Sequence, residues 1–313
     1  MAEKMRDVII IGGGISAHTA ALYTARASLK PFVISGAEPD QLSMTTLVEN
    51  YPGFPEGIMG PDLIVHCKQQ AQKFGAEYLE ENVTSFKKIK QGFDISVGKK
   101  TFHARTVVIS TGASARLLNI PGEKTYFGRG VSTCAVCDAA LYRNKIAVVI
   151  GGGDSAMEET LALVKFATKV YLIHRKDSFR ASKIMQDRVM KMKGKVDVIL
   201  NTEVLEVKGN KFVESIKIKN NGTGKISELK TDGLFLAIGH IPNTILFKDI
   251  VRLDEQGYVL TDKLGKTNVE GLYAAGDVQD SVFKQAITSA GTGCMAALNV
   301  ERYLEHLKAE GTY

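Results

Sequence analysis

Two cysteines three positions apart, Cys134-Ala135-Val136-Cys137, are followed directly by Asp138. A C-x-x-C pair serves either as half of a four-ligand zinc site or as a redox couple. No second pair exists to complete a zinc site, and no histidine has the spacing to do so, so no metal is expected. Cys67 and Cys294 stand alone in apolar, helical stretches and are expected to be core thiols. A dithiol/disulfide couple is the better fit. Asp138 is then a candidate acid/base, and a helix-capping role for it is compatible with that.

A second chemistry is written in glycine. Val8-Ile9-Ile10-Ile11 leads into Gly12-Gly13-Gly14-Ile15-Ser16-Ala17, and Val148-Val149-Ile150 leads into Gly151-Gly152-Gly153-Asp154-Ser155-Ala156. The two copies are offset by 139 residues (151 − 12 and 156 − 17). In a G-x-G-x-x-A loop the first glycine makes the strand-to-helix turn, and the second admits a diphosphate to the backbone. The alanine keeps helix and strand close, and the amides opening the helix hold the anion. One such loop is a weak signal, because a tight turn looks the same. Two copies, each after an apolar strand, before a helical pattern and a second strand, point to two dinucleotide sites.

The residue after the second strand reads the ribose. It lies 18 residues beyond the alanine in both copies (35 − 17 and 174 − 156). The first copy has Ser35 there, with Gly36 next and Glu38 as a loosely placed carboxylate. The second has His174, Arg175 and Lys176, with Arg180 close behind. Four basic groups at that edge suit a 2′-phosphate, hence NADP. The first site suits a nucleotide without one, and FAD is the natural choice in a redox chain. Further glycines end apolar strands at Thr111-Gly112-Ala113, Ile238-Gly239-His240 and Ala275-Gly276-Asp277. The last is the strongest cofactor contact, with Asp277 placed for a flavin's ribityl or phosphate end. The cysteine couple is then read as standing beside that flavin.

The elements that must hold these groups are strand–helix–strand units in a chain of 313 residues, enough for about two domains. The composition, 44% apolar and 24% charged, builds a large core and excludes a disordered chain. A formal charge of +6, dispersed and with 7% aromatics, argues against a nucleic-acid surface. No apolar run approaches the length of a membrane span. Met1-Ala2-Glu3-Lys4 passes directly into the first strand with no signal peptide, so a soluble, cytoplasmic protein is expected.

Nearly end to end, from Asp7 to about Leu304, these motifs resemble the low-molecular-weight thioredoxin reductases. The resemblance rests on both glycine motifs, Gln41-Leu42, Val48-Glu49-Asn50-Tyr51-Pro52-Gly53, Thr111-Gly112-Ala113 and Cys134 to Asp138. It continues through His174 to Arg180, Ala237-Ile238-Gly239-His240, Ala275-Gly276-Asp277-Val278 and Gln285-Ala286. It implies a homodimer that passes electrons from NADPH through FAD to a Cys134–Cys137 disulfide and on to thioredoxin. Cys137 would face the flavin, Cys134 would attack thioredoxin, and Asp138 would be the acid/base. FAD contacts would fall on Gly12, Gly14, Ile15, Ser16, Ala17, Ser35, Gly36, Gln41, Leu42, Asn50, Val83, Ala113, Asp277, Lys284, Gln285 and Ala286. NADPH contacts would fall on Gly153, Asp154, Ser155, Ala156, His174, Arg175, Lys176, Arg180 and Ile238.

An α/β fold follows, with two Rossmann-like domains and the NADPH domain (117–244) inserted into a discontinuous FAD domain (1–116 and 245–313). The connecting segments are expected near Leu117-Leu118-Asn119 and Pro242-Asn243-Thr244. Because the disulfide and the nicotinamide need the same flavin from one domain, a rotation about the connectors is expected. The chain departs from the family pattern in several places. Pro39-Asp40 stands where Gly-Gly is usual, so the loop is expected to differ locally. Lys176 and Lys284 replace Arg, Ala139 replaces Gly, and Ala140-Leu141 replaces a bulkier apolar pair at the docking position, where Arg129 is kept. A reductase of another disulfide, a small-molecule dithiol oxidase and a redox-sensing binding module remain as alternatives.

Overall fold

The computed structural model describes residues 5–313; Met1 to Lys4, with the expectation placed on them, lie outside the described residues. The chain divides into two compact units, one running up to Ser114 and resuming over Ile241–Tyr313, the other Ala115–His240. The expected boundaries after 116 and 244 stand slightly later. The chain leaves the first unit in the short strand Ala113–Ala115 and returns in His240–Pro242, and these two strands pair. The connectors therefore lie earlier than Leu117-Leu118-Asn119. In that segment the Leu118 and Asn119 amides instead donate to the buried Glu123 carboxylate at 2.7 Å each.

Six helices carry the labels used below: α1 Ile15–Arg26, α2 Gly60–Lys73, α3 Ala135–Asp138, α4 Asp154–Leu163, α5 Lys183–Met190 and α6 Ala286–Ala309. The first unit is built on parallel strands in the order Glu77–Leu79, Phe32–Ile34, Arg6–Ile11, Lys100–Ile109 and Leu272–Ala274. The long strand Lys100–Ile109 also continues into an antiparallel ribbon with Gly92–Val97 and Ser85–Ile89. Val8 to Ile11 are all buried, as expected of a parallel strand covered on both faces.

The second unit repeats this plan. Its parallel sheet runs Val196–Ile199, Lys169–Ile173, Ile146–Ile150, Gly233–Leu236 and Val131–Ser132. A separate three-stranded antiparallel sheet, Thr202–Gly209, Val213–Asn220 and Ile226–Lys230, packs Val207, Val213 and Ile216 against one face of that sheet.

Small residues set the helix spacing. α1 buries Ala17, Ala20, Ala21 and Ala25, and α6 meets it at Gly293, where an added Cβ would strike the Ser16 carbonyl. α6 begins with a capping box: the Gln285 side chain accepts from the amide of Thr288, whose hydroxyl accepts from the Gln285 amide at 3.3 Å. Among the described residues, no helix is long and apolar enough to cross a membrane.

This packing predicts opposite outcomes for two glycines of α6. Gly293→Val should cost about 1–3 kcal/mol, since backbone is what it meets. Gly291→Ala has open space and should stabilise by up to about 1 kcal/mol. Urea midpoints of the two variants check this; equal effects would contradict the packing account.

Candidate active site

Both sheets present their site residues at the carboxyl ends of parallel strands, where open α/β sheets bind ligands. In the first unit, Gly12 follows Arg6–Ile11, Ser35 follows Phe32–Ile34, Ala113 lies just beyond Lys100–Ile109, and Asp277 lies just beyond Leu272–Ala274. In the second, Gly151 follows Ile146–Ile150, His174 follows Lys169–Ile173, Ile238 lies beyond Gly233–Leu236, and Cys134 lies beyond Val131–Ser132. The cysteine pair and the second glycine loop thus share one sheet edge.

The glycine loops are cradles in which a side chain has no room. A Cβ at Gly12 would strike the Ser110 carbonyl, and one at Gly13 would lie 2.6 Å from the Ser35 carbonyl oxygen. Gly12 also holds φ at +135°, which L side chains rarely adopt. In the second loop a Cβ at Gly152 would strike the His174 ring, and one at Gly151 would lie 2.6 Å from the Ala156 Cβ. Gly14 and Gly153 face open space as the N-caps of α1 and α4, and neither helix has a side-chain cap. Ile15, Ser16 and Ala17, like Asp154, Ser155 and Ala156, open these helices. Their first amides fit the diphosphate of a dinucleotide. The buried Ser110 Oγ beside the first loop has no hydrogen-bond partner among the described residues.

Other expected flavin residues gather around the first loop. Gln41 Nε2 donates to the Ala113 carbonyl, and Asn50 Nδ2 donates to Gln285 Oε1 at 3.4 Å. The Asp277 carboxylate accepts from Ser289 at 2.8 Å, and burial raises its pKa against the effect of that bond. Lys284 bonds the Ser281 carbonyl and lies 5.6 Å over the Tyr258 ring. Gly36 has φ +85°, and Leu42 packs with Ile15, Val48 and Ala286. Val83 packs against the sheet core.

Asp40 does not face a ligand. Its Oδ1 accepts from the Leu42 and Ser43 amides at 2.9 and 3.2 Å, closing a local turn that Gly-Gly could not form. Sequence reasoning missed Asn82. Its side chain accepts from the Ala37 amide at 3.1 Å and donates to Glu38 at 3.0 Å, so it fixes the loop after Ser35. An Asn before Val83 carried no signal on its own.

Around the second loop, the segment after His174 folds back onto the glycines: the Arg180 and Ala181 amides donate to the Gly152 carbonyl at 2.7 and 3.0 Å. Asp154 accepts from Ser182 twice at 2.8 Å, tying α4 to the start of α5. Arg175, Lys176 and Arg180 are exposed. His174 is not a fourth cation. Its ring is buried and stacked on Phe179 at 5.4 Å, and burial, then Arg175, Arg180 and Lys176, lowers its pKa. Ile238 is partly buried against the sheet.

Cys134 and Cys137 are disulfide-bonded, with Cα atoms 5.4 Å apart. Cys134 is the N-cap of α3, and its sulfur accepts from the Cys137 amide at 3.2 Å. Ser132 Oγ holds the turn by accepting from the Cys134 amide at 3.1 Å. Ser132 also bonds the Asp138 carboxyl, but burial is the larger influence and raises the Asp138 pKa. Asp138 ends α3 and stands at the N-cap position of the short turn of helix Ala139–Tyr142, where its side chain makes no capping hydrogen bond. Val136, between the cysteines, is 65% exposed, so a macromolecule can reach the pair.

Cys67 packs against the core cluster of Ile15, Val48 and Leu63, but neither it nor Cys294 is fully buried. Both are half-buried and line one cavity of about 390 Å³ in the first unit, with His18, Tyr23 and Tyr51. Tyr23 bonds Cys294, and burial raises the Cys67 pKa. His18 Nδ1 lies 3.0 Å from the Tyr78 hydroxyl, and burial with the nearby Lys68 lowers its pKa to about 4.

A neutral His18 stabilises the fold fully above the unfolded value near 6.5, and that contribution is lost as pH falls toward about 4. The stability of the natural chain should therefore fall relative to Glnsubstituted His18 (His18→Gln) over that window, by up to about 1.4 kcal/mol per pH unit. Parallel urea midpoints against pH for the two chains would contradict this.

Similarity to known proteins agrees with this geometry. Residues 6–293 match the family described as pyridine nucleotide-disulphide oxidoreductase. A thioredoxin reductase of Pneumocystis carinii is 48% identical over 310 residues, covering 95% of each chain. One of Mycolicibacterium smegmatis is 45% identical over 305 residues, covering 97% of this chain and 98% of its own. Among solved structures, thioredoxin reductase from Streptococcus pyogenes superposes with a TM-score of 0.92 at 39% identity, covering 96% of this chain and 99% of its own. The Giardia duodenalis enzyme does so at 0.91 with 42% identity, covering 97% and 100%.

Proposed function

The chain belongs to the thioredoxin reductases of the pyridine nucleotide-disulphide oxidoreductase family, and from that premise we infer how its residues divide the work. It is an NADPH-dependent thioredoxin-disulfide reductase with FAD and NADPH as cofactors. When bound, NADPH supplies a hydride and FAD relays its two electrons to a disulfide. The observation that carries the assignment of roles is the Cys134–Cys137 disulfide at a sheet edge, beside a buried carboxyl with a raised pKa.

In this reading the amides at Gly14 to Ser16 and the Asp277 region hold FAD, with Gln41, Asn50 and Gln285 fixing the surrounding loops. The amides at Gly153 to Ser155 hold the NADPH diphosphate, and Arg175, Lys176 and Arg180 neutralise its 2′-phosphate. His174, uncharged, stacks and shapes rather than pairs. Two electrons entering at Cys137 break the sulfur–sulfur bond, and Asp138 gives its proton to one sulfur. The Cys134 thiolate then attacks the partner's disulfide and forms a mixed disulfide. Cys137 gives up the proton it took from Asp138 and resolves that mixed disulfide; that proton and one from solvent leave the partner with two thiols, and the Cys134–Cys137 bond re-forms.

Both Cys137 and the NADPH loop belong to Ala115–His240, so serving one flavin requires them to take turns. We assign the hinge for that exchange to the paired connectors. Thioredoxin is the partner, with Arg129, Val136 and Leu141 as its contacts, and the working form is a homodimer. Tyr23, Val65, Met295 and Leu298, exposed apolar side chains of α1, α2 and α6, support such a contact. A reductase that draws on NADPH to keep thiols reduced is placed in the cytoplasm. NADPH consumption with thioredoxin, compared with small disulfides, tests the partner. Faster turnover of small disulfides would replace thioredoxin with a small substrate.

Three predictions follow from the roles. Neutralising Arg175 and Lys176 should raise the KM for NADPH at least about tenfold and barely change that for NADH, given about 1.5–3 kcal/mol per charge-assisted bond. Equal use of both coenzymes by the natural chain would remove the 2′-phosphate assignment. Cys137→Ser should trap a mixed disulfide through Cys134 with a thioredoxin lacking its resolving cysteine. Cys134→Ser should instead leave a thiolate at position 137 and a long-wavelength absorbance beside the flavin. The opposite pattern would reverse the two roles. Asp138→Asn should slow disulfide reduction by about 10²-fold.

A further inference from the structure

Glu159 lies on α4, beyond the second glycine loop, and nothing above gives it work. Its carboxyl accepts a hydrogen bond from the backbone amide of Ala135, the first residue of α3. One amide of the cysteine turn is thereby satisfied from a different helix. The other carboxyl oxygen, Oε2, is shielded from solvent and has no hydrogen-bond partner among the described residues. Around it α3 and α4 pack through Ala135, Ala139, Ala156 and Met157. A half-buried carboxyl with one oxygen shut off from solvent thus stands against the first residue of the cysteine turn.

Burial opposes its charge and outweighs the Ala135 amide, which favours it. Asp138 faces it from α3 and Glu158 lies beside it on α4, and both add to burial in pushing its pKa up to about 8. Tyr142, on the turn after α3, is held protonated by burial and by Asp138. The charges of α5 are engaged elsewhere: Lys183 pairs with Asp187 at 3.1 Å, and Arg188 donates to the Met185 sulfur at 3.7 Å. Lys169, on the neighbouring strand, pairs with Asp197 at 2.7 Å.

We propose that Glu159 is a positioning residue of the disulfide centre, holding the Ala135 amide and making the Cys134–Cys137 couple harder to reduce when it ionises. This rests on the reading of that couple as the redox-active pair. The electron balance gives the reason. Two electrons break the sulfur–sulfur bond and leave two negative charges on sulfur, and one proton from Asp138 neutralises only one of them. A neutral Glu159 keeps the remaining thiolate and the Asp138 carboxylate from facing a further buried anion. An ionised Glu159 supplies that anion and opposes reduction.

The test equilibrates holoenzyme, natural and Glu159→Gln, with dithiothreitol mixtures from about pH 6 to about pH 9.5, and reads alkylation of Cys134 and Cys137 by mass. Glutamine keeps an acceptor for the Ala135 amide but cannot ionise. The two thiol–disulfide constants should agree below about pH 7 and part above about pH 8, the natural chain becoming about tenfold less reducible. Coincident curves would overturn the proposal. Infrared spectra of the natural chain carrying ¹³C-labelled glutamate give a reading that needs no variant. A labelled, protonated carboxyl band should be present at neutral pH, fade near pH 8, and move when the disulfide is reduced; its absence would overturn the proposal as well. NADPH in place of dithiothreitol separates the two readings. Failure to raise thiols at Cys134 and Cys137 would count against the redox-pair reading, whereas thiols with coincident curves would remove only the role of Glu159.

Discussion

Two helix N-termini with no side chain to cap them govern this molecule. α1 and α4 begin at Gly14 and Gly153, where a side chain would meet open space, and no side chain caps either helix. Unpaired amides are costly unless water or an anion takes them. Keeping both ends open to a diphosphate dictates much of the rest. The preceding glycines must lack Cβ atoms because carbonyls or a ring occupy that space. The strands behind them must be apolar on both faces. The helices must be lined with alanine and glycine to sit close enough, as α1 and α6 do at Ser16 and Gly293.

The same economy applies to charge. Around the second loop the exposed cations gather on the face a phosphate would approach, while burial, then Arg175, Arg180 and Lys176, lower the pKa of the one histidine among them. Around the disulfide the pattern inverts. Asp138 and Glu159 are held in surroundings that favour their protonated forms, next to sulfurs that must become anionic. In the proposed division of work, the cations at one place on the sheet edge serve the reductant's phosphate, and carboxyls with raised pKa values serve the sulfurs at another.

Features whose cause is local were legible in the sequence. The repeated glycine loops, the strands before them and the residue after each second strand depend on sterics within a few positions, so spacing alone located them. The Cys134–Cys137 pair was legible for the same reason. Features decided through space were not. His174 looked like a fourth cation, but burial and its basic neighbours lower its pKa, and Cys67 and Cys294 looked like core thiols but line a cavity. Pro39-Asp40 announced a loop that differs locally, but not that Asp40 closes its own turn. Asn82 and Glu159 gave no signal, because each acts on a segment distant in sequence, the loop at Ala37 and the turn at Ala135.

The central claim is that electrons taken from NADPH by this chain arrive at one particular sulfur pair. Anaerobic titration of the FAD-loaded protein with NADPH, followed by rapid alkylation and peptide mapping, tests it directly. The account predicts new thiols at Cys134 and Cys137, with Cys67 and Cys294 unchanged from the oxidised protein. A flavin that bleaches fully while Cys134 and Cys137 remain bonded would contradict it.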